Sequence, residues 1–251
     1  MSVLVSGPID LSGQAAMVTG AARGIGQAIC AALAREGADV ACCDILPTSS
    51  TAELVKAQNR QALEIHCDIR SREQVQNAVH CMMDHWSRID ILVNSVGILG
   101  ESRQPVEELS TEDWDLVLEV NLRGAFLALQ AVWPHLIKRG CGKIVLLGSI
   151  AGRIGGVLAG PHYCASKGGI HALVKWAAKR GAPLGIHVNG IAPGPIATPM
   201  TENEPYHAGM VPLGRLGQPE DIAEVALFLA SQSSNFITGN VLDVNGGILM
   251  V

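Results

Sequence analysis

The stretch TGAARGIG at residues 19–26 follows a short apolar run and precedes a helix-forming segment. Glycines here let the backbone turn tightly and approach a phosphate, to which the new helix presents free N–H groups and its positive dipole end. The spacing is GxxxGxG rather than GxGxxG, and the glycines alone are a weak signal. The position of the motif between a strand and a helix strengthens the prediction. The loop predicts a dinucleotide site. Its expected contacts are Gly20, Arg23, Gly24, Ile25 and Gly26.

The rest of the chain alternates short apolar, β-branched runs with segments of helical period. We predict strands at 15–19, 39–43, 63–66, 89–94, 142–147, 186–191 and 240–244. We predict helices at 24–36, 49–60, 72–86, 112–138, 163–180 and 219–230. Strands that are apolar on both faces, each followed by a helix, indicate an α/β fold: a doubly wound, Rossmann-type, seven-stranded parallel sheet with helices on both faces. The composition is uniform, so we expect one domain over residues 1–251.

Composition excludes several classes of protein. The chain has 251 residues, a net charge of −5 and only 4% aromatic residues, which argues against nucleic-acid binding. It has no continuous apolar run of about 18 residues and no basic, apolar start, so we expect neither a membrane span nor a secretory leader. Seven cysteines, an odd number without a CxxC pair, indicate reduced thiols in a cytoplasmic protein, with no disulfide framework and no metal site.

Asp44 ends the second predicted strand. An acid at this position accepts hydrogen bonds from an adenosine ribose diol and repels a 2′-phosphate, which favours NAD over NADP. Arg23 argues the other way, because an arginine in the glycine loop can contact a 2′-phosphate. It can equally pair with Asp44 or extend into solvent.

Tyr163 and Lys167 lie four positions apart at the start of a predicted helix and so share a face. A nearby ammonium lowers a tyrosine pKa, which allows proton exchange with an alcohol or carbonyl. Ser149 ends a predicted strand, where the carboxyl ends of parallel strands form a ligand crevice. Its hydroxyl is placed to hydrogen-bond the reacting oxygen.

These motifs together resemble the short-chain dehydrogenase/reductase family over nearly the whole chain, from about residue 10 to 247. The matching pieces are TGAARGIG at 19–26, CDI at 67–69, NSVG at 94–97, Asn121, Ser149, YCASK at 163–167, VN at 188–189, PG at 193–194 and ITG at 237–239. One segment departs from the family pattern, which usually has a second Asn and an Ala where this chain has Ser95 and Val96.

The resemblance implies a catalytic set of Asn121, Ser149, Tyr163 and Lys167. Tyr163 is the implied proton donor or acceptor, and Lys167 holds the nicotinamide ribose and lowers the tyrosine pKa. Asn121, an unusual residue inside a helix, is implied to hold a water in a proton relay through Lys167. The further implied cofactor contacts are Asp68 and Ile69 near the adenine, Asn94 and Gly97 near the ribose, and Pro193, Gly194, Ile196 and Thr198 near the nicotinamide and phosphates.

Substrate-specific residues are expected at 152–162 and in a loop at about 195–212. The second loop is polar and rather short, which suits a small polyol, diol or cyclic alcohol. Tyr206 and His207 either bind polyol hydroxyls or face solvent, and His162 is expected on another helix face than Tyr163. The expected activity is NAD-dependent interconversion of a secondary alcohol and a ketone. The alternatives are an NADPH-dependent 3-oxoacyl carrier-protein reductase and a non-catalytic dinucleotide-binding regulator.

We also expect a homo-oligomer, most simply a homotetramer. Helices 112–138 and 163–180 carry apolar residues around more of their circumference than one sheet face covers. The chain ends in ILMV at 248–251, and an apolar terminus is explained by burial against another subunit. The alternative is that this tail folds back on its own subunit.

Overall fold

The computed structural model describes residues 9–101, 104–156 and 158–250. It contains one seven-stranded, wholly parallel sheet in the order β3-β2-β1-β4-β5-β6-β7. The strands are β1 (Ala15–Thr19), β2 (Asp39–Asp44), β3 (Ala62–His66), β4 (Ile91–Asn94), β5 (Gly142–Leu147), β6 (Ile186–Pro193) and β7 (Val241–Val244). The Rossmann-type fold is therefore confirmed, and every predicted strand is present.

The helices are α1 (Gly24–Arg35), α2 (Ser49–Lys56), α3 (Arg72–Trp86), α4 (Thr111–Leu118), α5 (Gly124–Arg139), α6 (Ala151–Ile154), α7 (Pro161–Gly181) and α8 (Pro219–Ala230). Short 3₁₀ turns occur at Ala182–Leu184, Ala208–Met210 and Gln232–Ser234. The single helix predicted at 112–138 is wrong in one respect: a π-helical turn, Glu119–Arg123, separates α4 from α5. The helix predicted at 49–60 ends early, and Asn59 just beyond it has a φ of +58°.

Two apolar cores cover the two faces of the sheet. Successive residues of β1 alternate between them, as the two-residue period of a strand requires. Helices α3, α5 and α7 fill one core and helices α1, α2 and α8 the other. The strand order reverses between β1 and β4, so the crevice outside the carboxyl ends of these strands is where such a fold binds ligands.

The helical segment Thr111–Arg139 is, by length and composition, apolar enough to cross a membrane. Half of its most apolar window is buried inside the protein, where α5 packs against α3 and the sheet. This is the environment of a core helix, so its apolar character is explained by packing within the fold.

The apolar residues of the predicted helices 112–138 and 163–180 were expected to exceed what the sheet covers and to form a subunit contact. Most of them are buried within the chain itself. Val117, Leu127 and Leu129 are buried, as are Ile170 and Val174. The large apolar side chains that remain exposed on these helices include Leu116, Phe126, Ile137 and Trp176.

Asn245 folds the tail after β7 into a local turn. The side-chain oxygen of Asn245 accepts the N–H groups of Gly247 (2.9 Å) and Leu249 (3.3 Å), and its amide donates to the Leu249 carbonyl (3.1 Å). Ile248 packs against the core, whereas Met250 is 79% exposed. The alternative that the tail folds back thus describes residues 245–249, and Val251 lies outside the described residues.

Candidate functional site

The glycine loop joins β1 to α1 against the end of β2. The N–H groups of Gly20 and Ala21 donate to the Cys43 carbonyl at 2.9 and 3.3 Å. Gly26 lies so close to the Gly20 carbonyl oxygen that a Cβ at position 26 would overlap it. No side chain caps the start of α1, so its first N–H groups face the crevice unsatisfied by a cap. They are available to an anion, as the sequence predicts.

Asp44 is held by backbone donors on both sides. The Ala22 N–H donates to Oδ2 at 2.9 Å and the Leu46 N–H donates to Oδ1 at 3.0 Å. Arg23 is exposed and has no hydrogen bond or ion pair with any residue that the structure describes. The possible pairing of Arg23 with Asp44 is therefore not found, and the carboxylate keeps its charge at the rim of the crevice.

Asp68 follows β3 on the same side of the crevice. Its carboxylate accepts a forked pair of hydrogen bonds from Arg70, the shortest at 2.7 Å, and this guanidinium holds the pKa of Asp68 below its usual range. Ile69 is buried beside it. The acid predicted near the adenine is thus already paired with a cation of its own loop.

A cleft of about 420 Å³ runs along these residues, and a smaller cavity of about 120 Å³ adjoins it. Of the predicted cofactor contacts, the cleft is lined by Gly20, Arg23, Gly24, Ile25, Gly26, Asp44, Asp68, Ile69, Gly97 and Thr198. The smaller cavity is lined by Ile25, Gly97, Ser149, Tyr163, Lys167, Pro193, Gly194, Ile196 and Thr198. Ile25, Gly97 and Thr198 line both spaces, so the two are continuous.

Ser149 and Tyr163 meet in the smaller cavity. Ser149 lies two residues beyond β5, where its Oγ accepts the Ala151 N–H at 3.1 Å. Burial raises the pKa of Tyr163 to about 12, and the nearby Ser149 hydroxyl opposes this rise without overcoming it. The neutral phenol is therefore the form present at neutral pH.

Lys167 lies one helical turn further along α7 and is buried. Its Nζ donates to the Leu147 carbonyl at 3.0 Å and lies 5.5 Å from the centre of the Tyr163 ring. Burial lowers the pKa of Lys167 to about 8. The structure thus brings the two side chains together, but the depressed tyrosine pKa expected from this pair is not present in the protein alone.

Two predicted residues are buried behind the cleft and do not form its wall. Asn121, in the π-helical turn, accepts the Ile98 N–H at 2.8 Å and donates to the Ile98 carbonyl at 3.0 Å. Asn94 accepts the Thr19 hydroxyl at 2.9 Å. This bond joins β1 to β4, and the predicted place of Asn94 near the ribose stays a prediction.

The segment after β6 forms the opposite wall. The Gly194 N–H donates to the Val244 carbonyl at 2.9 Å, and Ile196 pairs with Gly217 in a parallel bridge. The Thr198 N–H donates to the Thr201 hydroxyl at 3.0 Å. These contacts hold the start of the predicted substrate loop at 195–212 against the fold.

Sequence reasoning missed several apolar residues of the two spaces. Leu99 and Met200 line the smaller cavity, while Ile45 and Leu46 line the cleft beside Asp44. Each follows a strand end or lies in the predicted substrate loop, a position that could have drawn attention to it. No three His, Cys, Asp or Glu side chains of the described ranges converge in a way that could hold a metal ion.

A dinucleotide fits these residues. The Asp44 carboxylate and the uncapped N-terminus of α1 line the cleft, and Tyr163 and Lys167 line the cavity continuous with it. Comparisons with known proteins point the same way.

The sequence profile of the family described as Enoyl-(Acyl carrier protein) reductase matches residues 20–249. The chain is 39% identical over 248 residues to the 3-oxoacyl-[acyl-carrier-protein] reductase FabG of Thermotoga maritima, covering 96% of this chain and 99% of that protein. It is 37% identical over 252 residues to the (3R)-3-hydroxyacyl-CoA dehydrogenase of Homo sapiens, covering 94% and 95%.

Solved structures agree over the same length. Carveol dehydrogenase from Mycobacterium avium, in complex with NAD, superposes with a TM-score of 0.91 at 29% identity, covering 96% of this chain and 99% of that one. A structure from Agrobacterium tumefaciens with bound NADP gives 0.88 at 35% identity, covering 97% and 99%. The chain is therefore an oxidoreductase of the short-chain dehydrogenase/reductase family, whose members bind a nicotinamide dinucleotide and act on CH–OH groups.

Proposed function

We propose that the protein is an NAD-dependent oxidoreductase that interconverts a secondary alcohol and a ketone by hydride transfer. The observation that carries the proposal is that Ser149 and Tyr163 line one small cavity, which opens into the dinucleotide cleft. Two hydroxyl groups that face the same space can together hold and protonate a carbonyl oxygen.

In this proposal Tyr163 exchanges the proton with the substrate oxygen and Ser149 orients that oxygen. Lys167, whose buried Nζ faces Leu147 and the Tyr163 ring, stabilises negative charge on the phenol oxygen while the proton is away. When bound, NAD would supply the hydride acceptor and a cationic ring, and this positive charge would stabilise a buried Tyr163 phenolate. Asn121 fixes the backbone of Ile98 with its side chain, and its proposed role is to hold a water in a proton relay through Lys167.

The proposed preference for NAD depends on Asp44. Both of its oxygens are fixed by backbone N–H groups, so the charge cannot turn away from a 2′-phosphate. Ile45 and Leu46 beside it offer no cation. Arg23, which has no partner among the described residues, is the feature that argues for NADP.

The proposed substrate is small, uncharged and largely apolar around its reacting carbon, such as a cyclic alcohol or a diol. Apart from Lys167, no charged side chain of the described chain lines the cavity, and Leu99, Ala159 and Met200 make much of its wall apolar. Of Tyr206 and His207, the two residues predicted to bind polyol hydroxyls, Tyr206 lines the cavity and can therefore contact a substrate.

The second candidate is reduction of 3-oxoacyl thioesters. It is favoured by the similarity to 3-oxoacyl-[acyl-carrier-protein] reductases and (3R)-3-hydroxyacyl-CoA dehydrogenases, and by the apolar wall of the cavity. Asp44 argues against an NADPH-dependent form of this reaction, because its carboxylate would repel the 2′-phosphate.

One assay panel separates the two candidates. Cyclic alcohols, diols, polyols and 3-hydroxyacyl thioesters are offered with NAD and with NADP, and the reverse reactions with NADH and NADPH. Turnover of a cyclic alcohol or diol with NAD supports the first proposal, whereas turnover confined to thioesters supports the second. Absence of turnover with every substrate would contradict both.

We further propose a cytoplasmic homotetramer. The seven cysteines are free thiols, which suits a reducing compartment. Phe126 and Ile137 lie three helical turns apart on α5, and Trp176 on α7 is 64% exposed; such apolar surface is explained by subunit contact. Sedimentation equilibrium is expected to give about four times the 26.3 kDa chain mass, and a single species at the chain mass would contradict the assembly.

A further inference from the structure

The segment after β4 forms a partition between the two spaces of the site. Gly97 lines both of them, Ile98 lines the dinucleotide cleft and Leu99 lines the substrate cavity. Any shift of this segment therefore moves the wall against which the substrate rests. What holds it in place bears directly on substrate binding.

Two side chains from the α4 region bind the backbone of this segment. Asn121 binds both backbone groups of Ile98, and the Asp113 carboxylate accepts the Glu101 N–H at 2.8 Å. Each also reaches α7: Asn121 donates to Ser166 at 3.1 Å, and Asp113 lies 2.8 Å from the ring of His162. The segment is thus fastened at two points to the helix that carries Tyr163 and Lys167.

The two α7 residues that hold the segment have the same spacing along the helix as Tyr163 and Lys167. His162 and Ser166 lie four positions apart, and each immediately precedes a member of the Tyr163–Lys167 pair. One helical turn therefore separates the two fastenings, as it separates Tyr163 from Lys167. The Ser166 fastening holds Ile98, which lines the cofactor cleft, and the His162 fastening holds Glu101, two residues beyond Leu99.

The His162–Asp113 contact is buried and tightly packed. His162 is fully buried and the Asp113 side chain is 10% exposed. Because a carboxylate only accepts, the Nε2 of His162 carries the hydrogen, and a single Asp113 oxygen accepts both it and the Glu101 N–H. Gly100, with a φ of +69°, passes so closely that a Cβ there would lie 2.5 Å from Nε2.

We propose that His162 and Asp113 are a positioning pair that fixes Leu99 relative to Tyr163 and thereby sets affinity for the alcohol substrate, while leaving the cofactor site to the Asn121 fastening. The inference rests on the proposed function only in that a substrate must be turned over to measure it. Removing Asp113 leaves the buried Nε2 of His162 and the Glu101 N–H without their acceptor, and removing His162 breaks the link between Asp113 and α7. Either loss frees the segment and is expected to reduce binding by roughly tenfold or more.

The test compares truncating variants with variants that keep the hydrogen bonds. Asp113→Ala and His162→Ala break the contact. Asp113→Asn retains an oxygen that can accept both donors, and His162→Gln retains an N–H that can reach the carboxylate. For each variant, KM and kcat are measured with the alcohol that the parent oxidises, and NADH affinity by fluorescence titration.

The truncations are expected to raise KM about tenfold, with kcat within about threefold and NADH affinity within about twofold of the parent. The conservative variants are expected to restore KM to within about threefold. An unchanged KM in both truncations overturns the proposal. So does a parallel fall in kcat and NADH affinity, which is what a general loosening of the fold produces.

Leu99→Ala provides the second route if a truncated variant does not fold. It is expected to raise KM with kcat retained, and its effect is expected to be less than additive with that of whichever truncation, Asp113→Ala or His162→Ala, does fold. Unchanged KM in Leu99→Ala contradicts the proposal. If the parent oxidises no alcohol, the proposed function fails, and the positioning pair is then tested by hydrogen exchange in peptides that span residues 97–101. Faster exchange in Asp113→Ala than in Asp113→Asn supports the pair. Equal exchange rates in the two variants overturn it.

Discussion

Replacing Asp44 by asparagine is expected to reduce the preference for NAD over NADP by about 5- to 30-fold. The structure fixes both carboxylate oxygens with backbone donors at 2.9 and 3.0 Å, so the charge stays at the rim of the cleft. A 2′-phosphate about 6 Å away at an effective dielectric of about 40 meets a repulsion of roughly 1–2 kcal/mol after salt screening. Asparagine removes that charge but keeps an oxygen for one of the two N–H donors.

The assay is kcat/KM for NAD and for NADP with one alcohol at fixed ionic strength. The parent is expected to prefer NAD by at least about tenfold, and Arg23→Ala serves as the matched control on the opposite charge. Because Arg23 has no partner in the described structure, its removal is expected to weaken NADP more than NAD. A parent that prefers NADP, or an Asp44→Asn variant with an unchanged ratio, would refute the reasoning.

Three further variants test the cofactor loop and the stability of the fold. Gly26→Ala places a Cβ against the Gly20 carbonyl, so NADH affinity is expected to fall at least about tenfold in a fluorescence titration. Because Arg215 lowers the pKa of Asp221 from 3.8 to about 2, this acid stabilises the fold fully above about pH 4 and progressively less as the pH falls to 2. The stability advantage of the parent over Asp221→Asn in denaturant unfolding, about 1 kcal/mol at pH 7, is therefore expected to vanish across that window. Asp90→Asn weakens a buried carboxylate that binds two arginines and a backbone N–H, and is expected to cost about 2–4 kcal/mol in the same experiment.

The sheet and the glycine loop could be predicted because their signals are local. Alternating apolar runs fix which segments are strands, and the strands at 15–19 and 142–147 have the predicted bounds. Gly26 is required by a contact only six residues away along the chain. Helix α7 begins two residues before its predicted start, at Pro161, a residue that suits the first turn of a helix.

What could not be predicted depends on contacts between distant segments. The π-helical turn at Glu119–Arg123 is associated with the binding of Asn121 to Ile98, 23 residues away. The pairing of His162 with Asp113 spans 49 residues, so the spacing of His162 along its own helix said nothing of it. The pKa of Tyr163 differs from the prediction for the same reason, since burial by the whole fold raises it to about 12.

The central claim, that Tyr163 transfers the proton in an NAD-linked oxidation, is tested most directly by Tyr163→Phe. Phenylalanine keeps the ring and removes the hydroxyl that meets Ser149. The account predicts that kcat for the alcohol falls by about 10²–10⁴-fold while NADH affinity stays within about threefold of the parent. Turnover within a few-fold of the parent, with the same substrate and cofactor, would contradict it.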